Sequence, residues 1–368
     1  MKHCDKKAVT VNVTNRCNLR CVYCMACAGD EQDKAYSIPL DFALSGIRDA
    51  LEGIPSGIKA EMLRFFAPGE PTQDMSVIRQ CVDYARQIRP GCIVELQTNG
   101  LFENDDNAKW IAENISVVWF SLDGPASTND RNRPDAFGKG RTADIERYLG
   151  IVQSRTKVGV RVTVTDEFLD NQEALVEYYH RLGVKFLALN PVIRPVKRGE
   201  QGLISVNASS QMRFAKGFCR AFKMAEDYGM EFTNSMSFNF DEPTNVSCRS
   251  CLPMPQLNPD GSVSSCDMAM YRDTKDELKP FIYGEWDAEK KIIAYDNEKI
   301  AHLQSHRLES LPKCSKCPIG KYCAGGCIGR IAYQTGDVNS VLPEICAATI
   351  YMAKHIPLGR MQYTQTHP

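Results

Sequence analysis

Three cysteines stand close together near the start of the chain, in the run Cys17-Asn-Leu-Arg-Cys21-Val-Tyr-Cys24, a C-x3-C-x2-C spacing. Each iron of a [4Fe–4S] cube takes one cysteine sulfur, so three thiolates serve three corners and leave the fourth iron open to a small molecule. A second field comes much later: Cys248-x2-Cys251-x9-Gly261-x4-Cys266, then Cys314-x2-Cys317-x5-Cys323-x3-Cys327-x18-Cys346. Its eight cysteines match two fully ligated [4Fe–4S] clusters. Cys314-x2-Cys317 taken alone equally suits a zinc ribbon. Of the other cysteines, Cys81 and Cys92 fall in helix and strand patterns and read as core thiols. Cys27 reads either as a neighbour of the first triad or as an idle loop thiol.

The 368 residues carry a formal net charge of −1, which gives no sign of a general nucleic-acid or anionic-membrane binder. No apolar run is long enough to span a bilayer. The start, Met1-Lys-His-Cys-Asp-Lys-Lys, lacks the apolar core of a signal peptide, so a cytoplasmic protein is expected. In that compartment sixteen cysteines read better as metal ligands than as disulfides.

The elements that must position these residues alternate. Val9, Val11 and Val13 predict a strand that feeds the cysteine loop, which runs from Thr14 to Gly29. A helix over 38–53 follows, then strand 61–67, helix 74–88, strand 93–96, helix 108–114, strand 117–122 and helix 142–153. Strand 158–164, helix 171–182 and strand 184–190 complete six strand–helix units, the pattern of a parallel α/β sheet. Spacing alone leaves open a doubly wound sheet or an incomplete barrel. After the cysteine loop of strand one, the strand ends read Pro68-Gly-Glu-Pro71, Thr98-Asn-Gly100, Ser121-Leu-Asp-Gly-Pro125, Thr165-Asp166 and Asn190-Pro191. Active sites of parallel α/β folds gather at those carboxyl ends. Beyond them, Arg194, Lys197 and Arg198 form a basic group, facing an acidic substrate or simply a solvated loop. Residues 209–228 predict a helix closed by Gly229, and 233–240 a strand bordering the site.

The first triad, with Tyr23 just before its third cysteine, resembles the core signature of the radical S-adenosylmethionine (radical SAM) enzymes. Pro68-Gly69-Glu70-Pro71 resembles their Gly-Gly-Glu-Pro segment, with Pro68 in place of the first glycine. That resemblance implies that Gly69 and Glu70 hold the amino group of the methionyl moiety, through backbone carbonyls and a carboxylate. Ser121 and Asp123 resemble the family's ribose-contacting strand end. Asn129-Asp-Arg-Asn-Arg133 resembles a segment whose final arginine pairs with the methionyl carboxylate, a task suited to a two-pronged guanidinium. The run from Cys251 to Cys346, Gly261 included, resembles the SPASM extension of these enzymes.

The resemblance implies an α/β fold: a partial (β/α)6 barrel over 1–200, a connecting segment over 201–247, a SPASM domain with two auxiliary clusters over 248–346 and a tail over 347–368. It implies three [4Fe–4S] clusters, with Cys17, Cys21 and Cys24 holding the one that binds S-adenosylmethionine. Cys248, Cys251, Cys266 and Cys327 would hold the first auxiliary cluster, and Cys314, Cys317, Cys323 and Cys346 the second. Without Cys248 the first auxiliary cluster would keep an open iron. Asp267 matches an aspartate that takes a proton from the substrate in anaerobic sulfatase-maturating enzymes; a turn or supporting role is the alternative.

The expected activity is therefore radical oxidation of a peptide or protein side chain, with a thioether or carbon–carbon cross-link in a ribosomal precursor peptide favoured. The alternatives are formylglycine formation in a sulfatase, dehydrogenation of a sugar or other small molecule, and a non-enzymatic iron–sulfur electron carrier. The expected partners are a peptide or protein substrate and a flavodoxin- or ferredoxin-like electron donor, without nucleic acid or membrane. Because the first strand begins so early, an N-terminal leader-peptide-binding domain is not expected.

Overall fold

The computed structural model describes residues 4–28, 36–66, 68–192 and 208–359. The basic group Arg194, Lys197 and Arg198 lies outside the described residues.

The first half alternates strand and helix. β1 (Ala8–Asn12), β2 (Met62–Phe66), β3 (Ile93–Thr98), β4 (Val117–Ser121), β5 (Lys157–Val164) and β6 (Phe186–Pro191) pair in parallel, each with the next. Between them run α1 (Leu40–Glu52), α2 (Met75–Ile88), α3 (Asp105–Asn114), α4 (Ala126–Asn132), α5 (Thr142–Gln153) and α6 (Gln172–Arg181). The local chemistry sets the ends. Asp74 caps α2 by accepting from the Val77 amide, and Gly53, at φ 93°, closes α1 in the left-handed conformation that favours glycine. α2 turns Val77, Ile78, Cys81, Val82 and Ala85 inward, a helical stripe against the sheet. Full burial of one such valine or isoleucine is worth about 1.5–3 kcal/mol.

α7 (Ala208–Asp227) leads to a seventh parallel strand, β7 (Glu231–Thr233), beside β6. The strand expected over 233–240 therefore stops almost where it was to begin. The Asn234 side-chain carbonyl accepts from the amides of Met236 and Ser237 at 2.8 and 3.0 Å, which turns the chain out of the ladder.

From β1 to β7 the strand order follows the chain without reversal. A doubly wound sheet reverses at its switch point; an unreversed order is how a barrel grows. The fold is thus a partial (β/α)6 barrel, extended by β7 and by a C-terminal domain. That domain continues the same sheet. β8 (Gln256–Leu257) pairs in parallel with β1, and β9 (Ser262–Ser264), β10 (Ile282–Asp287) and β11 (Ile292–Tyr295) follow antiparallel. Helices α8 (Asn297–Ser305), α9 (Gly320–Cys323), α10 (Ile328–Thr335) and α11 (Pro343–His355) follow among the described residues. α11 packs along α7, so the C-terminal domain grips both edges of the barrel.

Candidate active site

The loop that carries Cys17, Cys21 and Cys24 is fastened by three strand ends. The amides of Gly69 and Glu70, after β2, donate to the carbonyls of Thr14 and Arg16 at 3.0 and 2.8 Å. A Cβ on Gly69 would lie 2.2 Å from the Arg16 carbonyl oxygen, so only glycine allows this approach. After β3, the Asn99 side chain donates to Asn18 Oδ1 at 2.7 Å and to Cys17 Sγ at 3.9 Å. After β4 and α4, the Arg20 and Val22 amides of the loop donate to the carbonyls of Pro134 and Asn132 at 2.7 and 2.9 Å.

Glu70, only 2% exposed, is engaged by its own neighbours. Its Oε1 accepts from the Thr72 amide and from the hydroxyls of Thr72 and Thr98, at 3.1, 2.7 and 2.7 Å. Its Oε2 accepts from the Asn99 amide at 2.6 Å. Burial pushes its carboxyl up, and these bonds oppose the shift. The carboxylate thus joins the ends of β2 and β3, and one oxygen keeps room for a further donor.

Tyr23 links the loop to Asp123 and Arg133. Its hydroxyl donates to Asp123 Oδ2 at 2.5 Å and accepts from Arg133 Nη1 at 2.8 Å. Asp123 Oδ1 also accepts from the Thr163 amide of β5 at 2.9 Å. Burial raises the phenol of Tyr23 well above its ordinary range, so it stays a neutral bridge. Arg133 Nε is buried and donates to no described group, a cation with a free prong. Ser121 ends β4 two residues before Asp123 and is partly exposed.

The triad's own electrostatics suit an iron–sulfur group. Burial, and next the charges of Cys21 and Glu70, push the Cys17 thiol up to about 12. Three thiolates in such a pocket call for compensating positive charge, which iron supplies.

The eight later cysteines gather in two groups. In one, hydrogen bonding between Cys248 and Cys251 lowers the first to about 6 and raises the second. Burial, and next the charge of Cys248, push Cys327 up to about 11; Cys266 is raised by burial and by Cys327. Gly329 on α10 makes room here, since a Cβ there would sit 2.4 Å from Cys266 Sγ. In the other, burial and then Cys346, Cys314 and Cys317 push Cys323 up to about 12. Between Cys323 and Cys327, Ala324, Gly325 and Gly326 all take positive φ (49°, 92° and 81°), which turns the chain from one group to the other. No disulfide joins the described cysteines. Among the described residues, no three His, Cys, Asp or Glu side chains converge on the position of one metal ion.

Asp267, next to Cys266, reaches into the barrel. It pairs with Arg64 of β2 and lies 3.5 Å from Arg249, while Arg64 Nε donates to Thr10 of β1 at 3.0 Å. Against the upward push of burial, the two guanidiniums hold its carboxyl below the usual range, though its side chain is 40% exposed. Arg64, Asn99, Arg249 and Gly329 had no motif to mark them. Only Asn99 carried a signal, its place in the turn after β3.

A partial barrel with a three-cysteine loop at its mouth, joined to a domain with two four-cysteine groups, is the arrangement of the radical SAM enzymes that carry a SPASM extension. The chain is similar to several of their kind. It is 23% identical to the serine-type anaerobic sulfatase-maturating enzyme of Klebsiella aerogenes, over 84% of this chain and 76% of that one. An uncharacterised protein of Methanocaldococcus jannaschii is 31% identical over 52% of this chain, and the match spans 64% of that relative's length. Among solved structures, anSMEcpe with bound AdoMet shares the fold with a TM-score of 0.73 at 18% identity, covering 95% of this chain and 92% of that one. SuiB of Streptococcus suis bound to S-adenosylmethionine gives 0.63 at 14% identity, covering 92% and 77%. No family model matches. No helix among the described residues is long and apolar enough to cross a membrane.

Proposed function

We propose that this enzyme removes two electrons and two hydrogens from a side chain of a peptide or protein, closing a thioether or carbon–carbon cross-link in a ribosomal precursor peptide. The observation that carries the reading is the Arg64–Asp267 pair, which sets a residue adjoining the first four-cysteine group inside the barrel whose mouth bears the triad.

Cys17, Cys21 and Cys24 would hold the iron–sulfur group that, when bound, supplies one-electron cleavage of S-adenosylmethionine to methionine and a 5′-deoxyadenosyl radical. The free prong of Arg133 takes the methionyl carboxylate. The turn carbonyls around Gly69, with the open side of Glu70 Oε2, take its ammonium. Ser121 and Asp123 orient the ribose, and Tyr23 keeps Asp123 and Arg133 in register with the cysteine loop. A substrate that gives one hydrogen atom to that radical would go on to lose an electron and a proton. Asp267, kept ionised by Arg64 and Arg249, accepts that proton. Cys248, Cys251, Cys266 and Cys327, with Cys314, Cys317, Cys323 and Cys346, would hold the two groups that take the electron. A flavodoxin- or ferredoxin-like protein in the cytoplasm would supply the first electron.

A second reading, oxidation of a serine or cysteine to formylglycine, is favoured by the sulfatase-maturating relatives and by an aspartate directly after Cys266. Anaerobic co-expression with short peptides encoded beside the gene tests the choice. A peptide two hydrogens lighter, with a new bond between residues in tandem mass spectra, supports the cross-link. An aldehyde trapped by hydrazide instead supports formylglycine, and an unchanged peptide counts against both.

A further inference from the structure

The barrel interior holds a third cation, Arg161, whose charge acts on Asp267 together with those of Arg64 and Arg249. Leu96, Val118, Phe120, Val160 and Val162 pack into the outer core, so their neighbours Gln97, Trp119 and Arg161 face inward. Trp119 belongs to a separate small cluster with Val117 and Ala188. The Arg161 guanidinium sits over the Trp119 ring, 4.9 Å from its centroid. Gly159 leaves the space for that ring, since a Cβ there would lie 2.4 Å from it. Trp119 in turn donates to Glu95 Oε2 at 3.1 Å, so β3, β4 and β5 together fix the arginine's platform.

Two of the buried polar atoms that make no hydrogen bond among the described residues belong to Arg161 and Gln97. Arg161 Nε is buried and donates to nothing among the described residues, and Gln97 Oε1 is buried and accepts from nothing. Of the nearby carboxylates, Asp267 pairs with Arg64 and lies 3.5 Å from Arg249, and Glu95 Oε2 accepts from Trp119. A buried guanidinium prong and a buried carbonyl each cost free energy when unpaired. A ligand that offers both an anion and an N–H would satisfy them.

We propose that Arg161 anchors a carboxylate of the substrate, with Gln97 Oε1 taking an adjacent N–H, as an aspartate or glutamate residue of a peptide would present them. The inference rests on the proposed function in taking the substrate as a peptide. A free dicarboxylic acid shares the carboxylate chemistry and is separated by the test.

Equilibrium dialysis of the reconstituted enzyme against radiolabelled N-acetyl-Ala-Glu-Ala-amide, its glutamine counterpart and glutarate provides that test. The glutamate peptide is expected to bind about tenfold or more tighter than the glutamine peptide, the range of a hydrogen bond to a charged group. Arg161→Met is expected to abolish the difference, and Arg161→Lys to keep part of it, since lysine retains the charge and loses the fork. Iron content and circular dichroism of each variant establish that it folds. Glutarate binding as tightly as the glutamate peptide would assign the site to a free acid, and weaker binding to a peptide residue. Equal binding of the two peptides, no binding of any probe, or discrimination that survives Arg161→Met would overturn the inference. Dialysis needs no turnover, so an enzyme that binds the carboxylate but never cleaves S-adenosylmethionine would contradict only the proposed function.

Discussion

Arg64 and Asp267, 203 residues apart in sequence, form an ion pair that ties the second barrel strand to the residue after Cys266. Arg249 shares the same carboxylate, and it and Arg64 both donate to Thr10. Barrel and cysteine-rich domain are therefore joined through charge as well as through the β1–β8 pairing.

Asp267→Asn leaves two buried arginines without their shared anion. Because the carboxylate is 40% exposed, water relieves part of the loss. A fall in stability of about 1–2 kcal/mol is expected, below the full cost of breaking a buried pair. Anaerobic urea denaturation measures it, and an unchanged midpoint and slope would show that the pair does not hold the two domains together.

Gly69→Ala would drive a Cβ into the Arg16 carbonyl and push the cysteine loop away from β2. We expect loss of the triad's share of iron, about four atoms per chain, with the eight later cysteines still loaded. Gly150→Ala is the control, since nothing lies within 4 Å of that position. Equal iron in both variants would count against the tight approach.

Tyr23→Phe removes the hydroxyl between Asp123 and Arg133, so each loses one hydrogen bond in a buried place. The expected cost is about 1–3 kcal/mol, felt chiefly as weaker S-adenosylmethionine binding. Dialysis of labelled S-adenosylmethionine reads it; wild-type affinity would show that the bridge does not shape that site.

The two cysteine groups make separate predictions. Cys266→Ala and Cys327→Ala each remove one auxiliary cluster, and combining them removes no more. Cys266→Ala with Cys323→Ala removes about eight irons. Iron analysis with electron paramagnetic resonance distinguishes the patterns, and a further loss in the first double variant would break the grouping.

Much of this architecture was legible in the sequence because its signals are local. Alternating valines at 9, 11 and 13, helical stripes such as that of α2 and Gly or Pro at strand ends mark β/α units within a few residues of each other. Cysteine spacing exposed the triad and the second field for the same reason. What escaped is tertiary. β8 and β9, of two and three residues, are held by β1 and by each other rather than by any pattern of their own. Gly329 matters only because Cys266 arrives beside it, and Arg64 only because Asp267 does. At 234, a side chain competing for backbone amides ended a strand that the polar–aromatic pattern had extended.

As proposed, the triad at the barrel mouth is the radical-generating end of a three-cluster enzyme. Anaerobic reconstitution, iron analysis and reduction by dithionite with S-adenosylmethionine present test it most directly. Roughly twelve irons per chain and steady formation of 5′-deoxyadenosine that disappears in Cys24→Ala are expected. A fully loaded protein that leaves S-adenosylmethionine intact would contradict it.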